Sequence, residues 1–98
     1  MTETVDPLEN DRRRLRMRSM RRGIKEMDLI LATFADERLK DMDAEQLAQY
    51  ESMLNENDQR LYRWVSGQEA PDSAFTDLVA DISEVTRNRS IRLRSGRI

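Results

Sequence analysis

The chain has 98 residues, of which 37% are charged and 38% are hydrophobic, and its formal net charge is -2. This length suits one small domain with a modest core, and the composition is typical of a small helical protein. Cysteine and histidine are both absent from the sequence, which excludes disulfides, thiolate or imidazole metal ligands, and nucleophiles paired with histidine. Catalysis would then need carboxylates, lysine or tyrosine alone. We expect no metal site and no catalytic site, and a binding or scaffolding role is the default.

The N-terminal segment MTETVDPLEN predicts the cellular location. It contains Glu3, Asp6 and Glu9 and has no apolar stretch of the signal-peptide type, whereas transit sequences are poor in acidic residues. No run in the sequence approaches the roughly 20 apolar residues that a membrane span needs. These features predict a cytoplasmic, bacterial protein without a membrane span.

Charge is segregated along the sequence. Seven arginines lie within residues 12–22 and five more within residues 87–97, whereas residues 23–86 carry five basic and 15 acidic side chains. The pattern predicts an acidic body with two basic ends. Seven arginines in 11 positions could neutralise several phosphates, so nucleic-acid binding is an alternative function. The acidic body argues against it, because it would repel the same polyanion.

The apolar spacing is helical throughout and predicts an all-α protein, a small bundle of five helices joined by short loops. The first helix is expected to have Asp6 as its N-cap and Pro7 at position N1. The second is expected to run from about residue 23 to 39. In the third, Asp43 and Gln46 have the spacing of a capping box, which makes this helix the most clearly marked.

The fourth helix is expected to begin at Asn57 or Asp58 and to end with Gly67 as a left-handed C-cap. The fifth is predicted over residues 73–87. Residues 1–89 are then one bundle domain with a flexible N-terminal end, and residues 90–98 are a basic, disordered tail. The predicted core contains Leu31, Phe34, Leu47, Leu54, Leu61, Trp64, Leu78 and Ile82.

The stretch RRGIKEMD at residues 21–28 places a glycine inside an otherwise good helical run. Glycine within a helix costs about 1 kcal/mol relative to alanine, so this position needs either a break in the helix or a close neighbour. Gly23 could permit a sharp bend, or it could let the backbone of another protein approach. Spacing alone leaves open the alternative that Gly23 only breaks the helix while Arg22 and Glu26 face solvent.

This stretch, the later segment FADERLKDMDAEQLAQYESMLNENDQRLYRWVSG and the AP that follows closely resemble the family of small flavinylation factors of succinate dehydrogenase, also called succinate dehydrogenase assembly factor 2. The resemblance covers about residues 15–85. Met27 departs from it where the family often has leucine, and both ends of the chain lie outside the pattern. The matching positions are Arg22, Gly23 and Glu26 for the family's RGxxE motif, Asp28 two places later, and Trp64 and Gly67 for its W-x-x-G region.

The resemblance implies a five-helix chaperone that promotes covalent attachment of FAD to the flavoprotein subunit of succinate dehydrogenase, with the subunit of fumarate reductase as a second candidate partner. Such a factor is a monomer, is no enzyme and holds no cofactor stably. It acts by orienting the reacting groups of its partner. Besides this function and nucleic-acid binding, a third alternative for the chain is a small enzyme that uses carboxylates. Arg22, Gly23, Glu26 and Asp28 are the implied partner-binding residues. Gly23 would permit close backbone approach, while Arg22 and Glu26 would form charged hydrogen bonds with the partner.

Overall fold

A computed structural model describes residues 7–89 of the chain. This part of the chain contains two single-turn 3-10 helices, at Leu39–Asp41 and Ser73–Phe75. The predicted all-α bundle of five helices is confirmed. No helix within residues 7–89 has the length and apolar character to cross a bilayer. The five α-helices are α1 Glu9–Ser19, α2 Lys25–Arg38, α3 Ala44–Leu54, α4 Asp58–Val65 and α5 Thr76–Asn88.

One hydrophobic core holds the helices together, and α2 lies at its centre. Helix α2 packs against α1, α4 and α5, while α3 packs against α1. The buried residues of α2 recur at the spacing that places apolar side chains on one helical face. They include Met27, Ile30, Leu31 and Phe34. All eight predicted core residues are buried, namely Leu31, Phe34, Leu47, Leu54, Leu61, Trp64, Leu78 and Ile82.

The ends of α3 and α4 follow from local side-chain chemistry. Asp43 accepts a hydrogen bond from the Gln46 backbone N–H at 2.9 Å, and the Gln46 side chain accepts from the Asp43 backbone N–H at 3.0 Å, so the predicted capping box is confirmed. Asn57 caps α4 with its side-chain oxygen. Gly67, just beyond α4, has a φ of 85°, which is the left-handed conformation predicted for it.

The beginning of α1 differs from the prediction. The helix starts at Glu9, so Pro7 lies in the turn before the helix and does not occupy position N1. Leu8 occupies the N-cap position, and its side chain makes no capping hydrogen bond. The predicted N-cap, Asp6, lies outside the described residues. Proline is compatible with such a turn as well as with N1, so its position alone does not fix the first helical residue.

Two other boundaries are shifted from their predicted positions. Helix α2 begins at Lys25, two residues later than predicted, so Gly23 lies in the connection between α1 and α2. Residues 73–75, predicted as the start of the fifth helix, form a 3-10 turn that leads into α5. The predicted flexible N-terminal end and disordered tail fall on residues 1–6 and 90–98, which lie outside the described part of the chain. The domain boundary at residue 89 therefore stays a prediction.

Tyr50 joins α3 to α1 inside the core. Its hydroxyl lies 2.6 Å from the Oγ of Ser19, and Ser19 in turn donates to the Leu15 carbonyl at 2.8 Å. Because the serine proton is used in that second bond, the tyrosine hydroxyl donates to the serine oxygen. Burial raises the pKa of Tyr50 to about 12, since the charged phenolate would be poorly solvated there.

We expect the free energy of unfolding to fall between about pH 10 and 12 by roughly 2 to 3 kcal/mol. Tyrosine in the unfolded chain ionises near pH 10, whereas folded Tyr50 keeps its proton up to about pH 12. This stabilising contribution is therefore complete below pH 10 and is lost as the pH rises through that window. Urea unfolding followed by circular dichroism across this range should show a weaker pH dependence for Tyr50→Phe. An equal dependence in parent and variant would contradict the assignment.

Candidate functional site

The RGxxE segment lies at the junction of α1 and α2. Arg22 and Gly23 lie between the two helices, whereas Glu26 and Asp28 lie at the N-terminal end of α2. The fold therefore brings all four predicted site residues to one end of the central helix. Carboxylates are favourable at this position because the N-terminus of a helix carries partial positive charge.

Arg22 is anchored inside the protein. Its Nε and one terminal nitrogen both lie 2.7 Å from Oδ1 of Asp58, and its guanidinium also donates to the carbonyls of Leu54 at 2.9 Å and Glu56 at 3.2 Å. Only 10% of the Arg22 side chain is exposed. The planar guanidinium has five N–H donors in a fixed arrangement, and most of them are used within the chain. Arg22 thus ties the α1–α2 connection to the α3–α4 connection.

Asp58, the first residue of α4, is the carboxylate at the centre of this site. Besides Arg22, it accepts hydrogen bonds from two consecutive backbone N–H groups, a short one from Gly23 and one at 3.3 Å from Ile24. Its side chain is 14% exposed. The sequence analysis identified Asp58 only as a possible start of α4 and missed it as a site residue. The segment it contacts lies about 35 positions earlier in the chain, and helical spacing carries no information at that distance.

Asp28 holds the same connection from the side of α2. Its Oδ1 accepts a hydrogen bond from the Arg22 backbone N–H at 2.5 Å. The backbone at positions 22, 23 and 24 is therefore fixed by two carboxylates, one from α2 and one from α4. Of the predicted site residues, Arg22 and Asp28 hold the connection in place, while Gly23 is exposed and Glu26 is half-buried.

The structure supplies a reason for the glycine at position 23. A Cβ atom placed there would lie 3.3 Å from Oδ2 of Asp58, a tighter contact than most side chains experience. The conformation of Gly23 does not itself demand glycine, because among the described glycines only Gly67 has a positive φ. Both requirements considered from the sequence are thus present: the helix is broken here, and a close neighbour lies within the same chain.

The arginines of α1 contact acidic groups of the bundle. Arg14 donates to Glu51 of α3 at 2.7 Å, and this hydrogen bond lowers the pKa of the Glu51 carboxyl. Arg16 donates to Asp36 of α2 at 2.6 Å, and Arg18 lies 3.7 Å from Glu51. A basic stretch neutralised in this way is poorly suited to bind phosphates, which weakens the nucleic-acid alternative.

An exposed apolar patch adjoins the RGxxE segment. Met17 is 43% exposed and Met20, three positions before Gly23, is 45% exposed. Beside them, α1 and the following connection form a shallow depression of about 400 Å³. Methionine adapts its shape to a partner, and exposed apolar side chains next to polar ones are typical of protein contact surfaces. The depression is lined by Arg14, Met17, Arg18, Arg21 and Arg22.

Residues 7–89 contain no group of three or more histidine, cysteine, aspartate or glutamate side chains arranged to hold a metal ion. The carboxylates at the site instead accept hydrogen bonds from Arg22 and from backbone N–H groups. The arrangement is suited to presenting an exposed, fixed segment of backbone to another molecule.

A family model described as flavinator of succinate dehydrogenase matches residues 13–86. The mitochondrial succinate dehydrogenase assembly factor 2 of Saccharomyces cerevisiae is 37% identical over 97 residues, which cover 94% of this chain and 60% of that protein. Assembly factor 2-B of Drosophila mojavensis is 40% identical over 77 residues, with coverage of 76% and 49%. The Aspergillus terreus assembly factor 2 is 43% identical over 79 residues, with coverage of 74% and 26%. The chain thus spans less than two thirds of the length of these relatives.

The predicted cytoplasmic, bacterial location is wrong by this comparison, because the matched proteins of yeast, fly and Aspergillus are all named as mitochondrial. The prediction relied on the composition of the first ten residues, which lie outside the match to the family model. That match extends from within α1 to within α5 and includes the whole RGxxE segment, so the resemblance seen in the sequence is confirmed. The chain belongs to the family of flavinators of succinate dehydrogenase.

Proposed function

We propose that this chain is an assembly factor that binds the flavoprotein subunit of succinate dehydrogenase and promotes covalent attachment of FAD to that subunit. The observation that carries the proposal is the family match over residues 13–86. The flavoprotein subunit of fumarate reductase is a second partner for the same activity. The factor acts as a monomer, performs no bond-making chemistry itself and holds no FAD stably.

The proposed contact surface is centred on Gly23 and Glu26. Gly23 is exposed and has no side chain, so a partner can approach its backbone closely. The connection that carries it is held by the Arg22–Asp58 ion pair and by Asp28. A segment that is already ordered loses little conformational freedom on binding, and the exposed methionines Met17 and Met20 extend the surface with apolar contact area.

A factor of this kind can accelerate flavin attachment without taking part in the chemistry. By holding the subunit in one conformation, it keeps the nucleophile and the flavin aligned, and such pre-arranged orientation can lower a barrier by several kcal/mol. On this mechanism, Arg22 and Asp28 contribute by shaping the surface, and Glu26 contributes a charged hydrogen bond to the partner. Loss of the surface should therefore abolish the effect while leaving a folded bundle.

Gly23→Arg is expected to reduce covalent flavin on the subunit to less than about a tenth of the parent level, because a long side chain would block backbone approach. The assay is flavin fluorescence of the denatured subunit, measured in cells that lack the native factor and express each variant. Gly23→Ala is the matched control. It introduces the same tight Cβ contact with Asp58 without a side chain long enough to block a partner.

Gly23→Ala should keep most of the activity, and comparison at equal levels of folded protein separates the two effects. Similar activity in both variants would contradict the proposed surface at Gly23.

Glu26→Ala examines the acidic member of the motif and should weaken binding to the purified subunit by about 2 kcal/mol or more. If the parent chain neither binds the subunit nor raises its flavin content, the proposed function itself fails.

A further inference from the structure

We propose that Asp58 is a positioning residue for the partner-binding surface, a role that rests on the function proposed above. It lies outside the RGxxE motif, on a different helix. Its carboxylate receives the Gly23 and Ile24 backbone N–H groups and the guanidinium of Arg22. These hydrogen bonds fix the conformation in which Gly23 is exposed.

Asp58 is not needed to cap its own helix. The side chain of Asn57 accepts hydrogen bonds from the backbone N–H groups of Gln59 and Arg60 at the start of α4. The Asp58 carboxylate is instead directed across to the α1–α2 connection, where both of its oxygens are used. Many side chains at position 58 would be compatible with α4. Only a carboxylate has two equivalent acceptor oxygens, one for the guanidinium and one for the backbone N–H groups.

The carboxylate is therefore matched to the backbone of the connection as well as to the charge of Arg22. Asparagine at position 58 would retain one acceptor oxygen and present an NH₂ group in place of the other. That group cannot accept from the Gly23 N–H. The connection would then sample additional conformations, and binding would have to select the competent one, which lowers the apparent affinity.

The test compares the parent with Asp58→Asn in the full chain, labelled with ¹⁵N. Amide hydrogen exchange at Gly23 and Ile24 and the Kd for the purified flavoprotein subunit are both measured at a temperature where the parent and the variant are folded. We expect exchange at both amides to become at least about tenfold faster and the Kd to rise by about tenfold. Asp36→Asn is the control, because it removes a carboxylate that pairs with Arg16 at the surface. It should change neither quantity.

Faster exchange at Gly23 with an unchanged Kd would overturn the proposal, since the carboxylate would then only stabilise the fold. Unchanged exchange would overturn it as well. Asp58→Glu keeps both acceptor oxygens on a longer side chain and should return the Kd to within about threefold of the parent. If Asp58→Asn does not fold, Asp58→Glu is compared with the parent instead. Near-parent values of both the Kd and the Gly23 exchange rate are then expected, and a change in one of them without the other would overturn the proposal. Binding by the parent tests the proposed function, whereas only the difference between parent and variant tests the role of Asp58.

Discussion

Replacing Arg22 with alanine is expected to lower the free energy of unfolding by about 3 to 5 kcal/mol. The substitution leaves the Asp58 carboxylate without its cationic partner at a position where the side chain is 14% exposed. It also removes the donors to the carbonyls of Leu54 and Glu56. Breaking one side of a mostly buried ion pair is costly because the remaining charge is poorly solvated. Urea unfolding followed by circular dichroism measures the loss.

Arg16→Ala is the matched control for this prediction. Arg16 also makes a short ion pair, at 2.6 Å with Asp36, but the two side chains are 56% and 55% exposed. Water solvates both charges when such a pair is broken, so the loss should be within about 1 kcal/mol. Equal destabilisation by the two substitutions would show that Arg22 is not the structural anchor described here.

The burial of Arg22 affects how the RGxxE motif can be tested. If Arg22→Ala unfolds a large fraction of the chain, its loss of flavin attachment would reflect missing folded protein and would say little about an interface. Gly23 is exposed and Glu26 is half-buried, so substitutions there affect the proposed contact more directly. The motif thus combines Arg22, which holds the α1–α2 connection, with Gly23 in that connection and Glu26 in the first turn of α2.

Features of the fold that depend on local spacing could be predicted from the sequence. The capping box of Asp43 and Gln46 lies within four residues, and the left-handed Gly67 lies two residues beyond the end of α4. The buried residues of α2 recur with helical periodicity. Trp64 and Gly67, the two positions of the W-x-x-G region, are a core residue and a helix terminator in the structure, so this part of the family resemblance has a structural explanation.

The contacts that organise the candidate site could not be predicted in the same way. The Arg22–Asp58 ion pair joins residues 36 positions apart, and the chain offers 17 basic and 19 acidic side chains as possible partners. Sequence spacing cannot choose among so many pairings, because the choice depends on how the helices pack. For the same reason, the sequence did not show that Arg22 is mostly buried. From the sequence, Arg22, Gly23, Glu26 and Asp28 were predicted as partner-binding residues, whereas the part played by Asp58 and the burial of Arg22 required the fold.

Truncation of Trp64 to alanine is also expected to cost about 3 to 5 kcal/mol of the free energy of unfolding. The side chain is 2% exposed, and its ring lies 6.0 Å from that of Phe75. The Arg60 guanidinium lies 5.3 Å from the centre of the indole, and the indole N–H donates to Glu69 at 3.3 Å. Alanine would leave a cavity where α4 meets α5, and the surrounding helices could close it only in part.

A loss of this size is a large share of the roughly 5 to 15 kcal/mol by which a domain is stable, and it should lower the Tm by more than about 12 °C. Circular dichroism at helix-sensitive wavelengths gives the measurement, because the variant no longer carries a tryptophan for fluorescence. Trp64→Phe is the control. It keeps an aromatic ring against Phe75 but loses the hydrogen bond to Glu69, so its cost should be about 1 to 2 kcal/mol. If alanine and phenylalanine were tolerated equally, the volume of the indole would not be needed to hold α4 against α5.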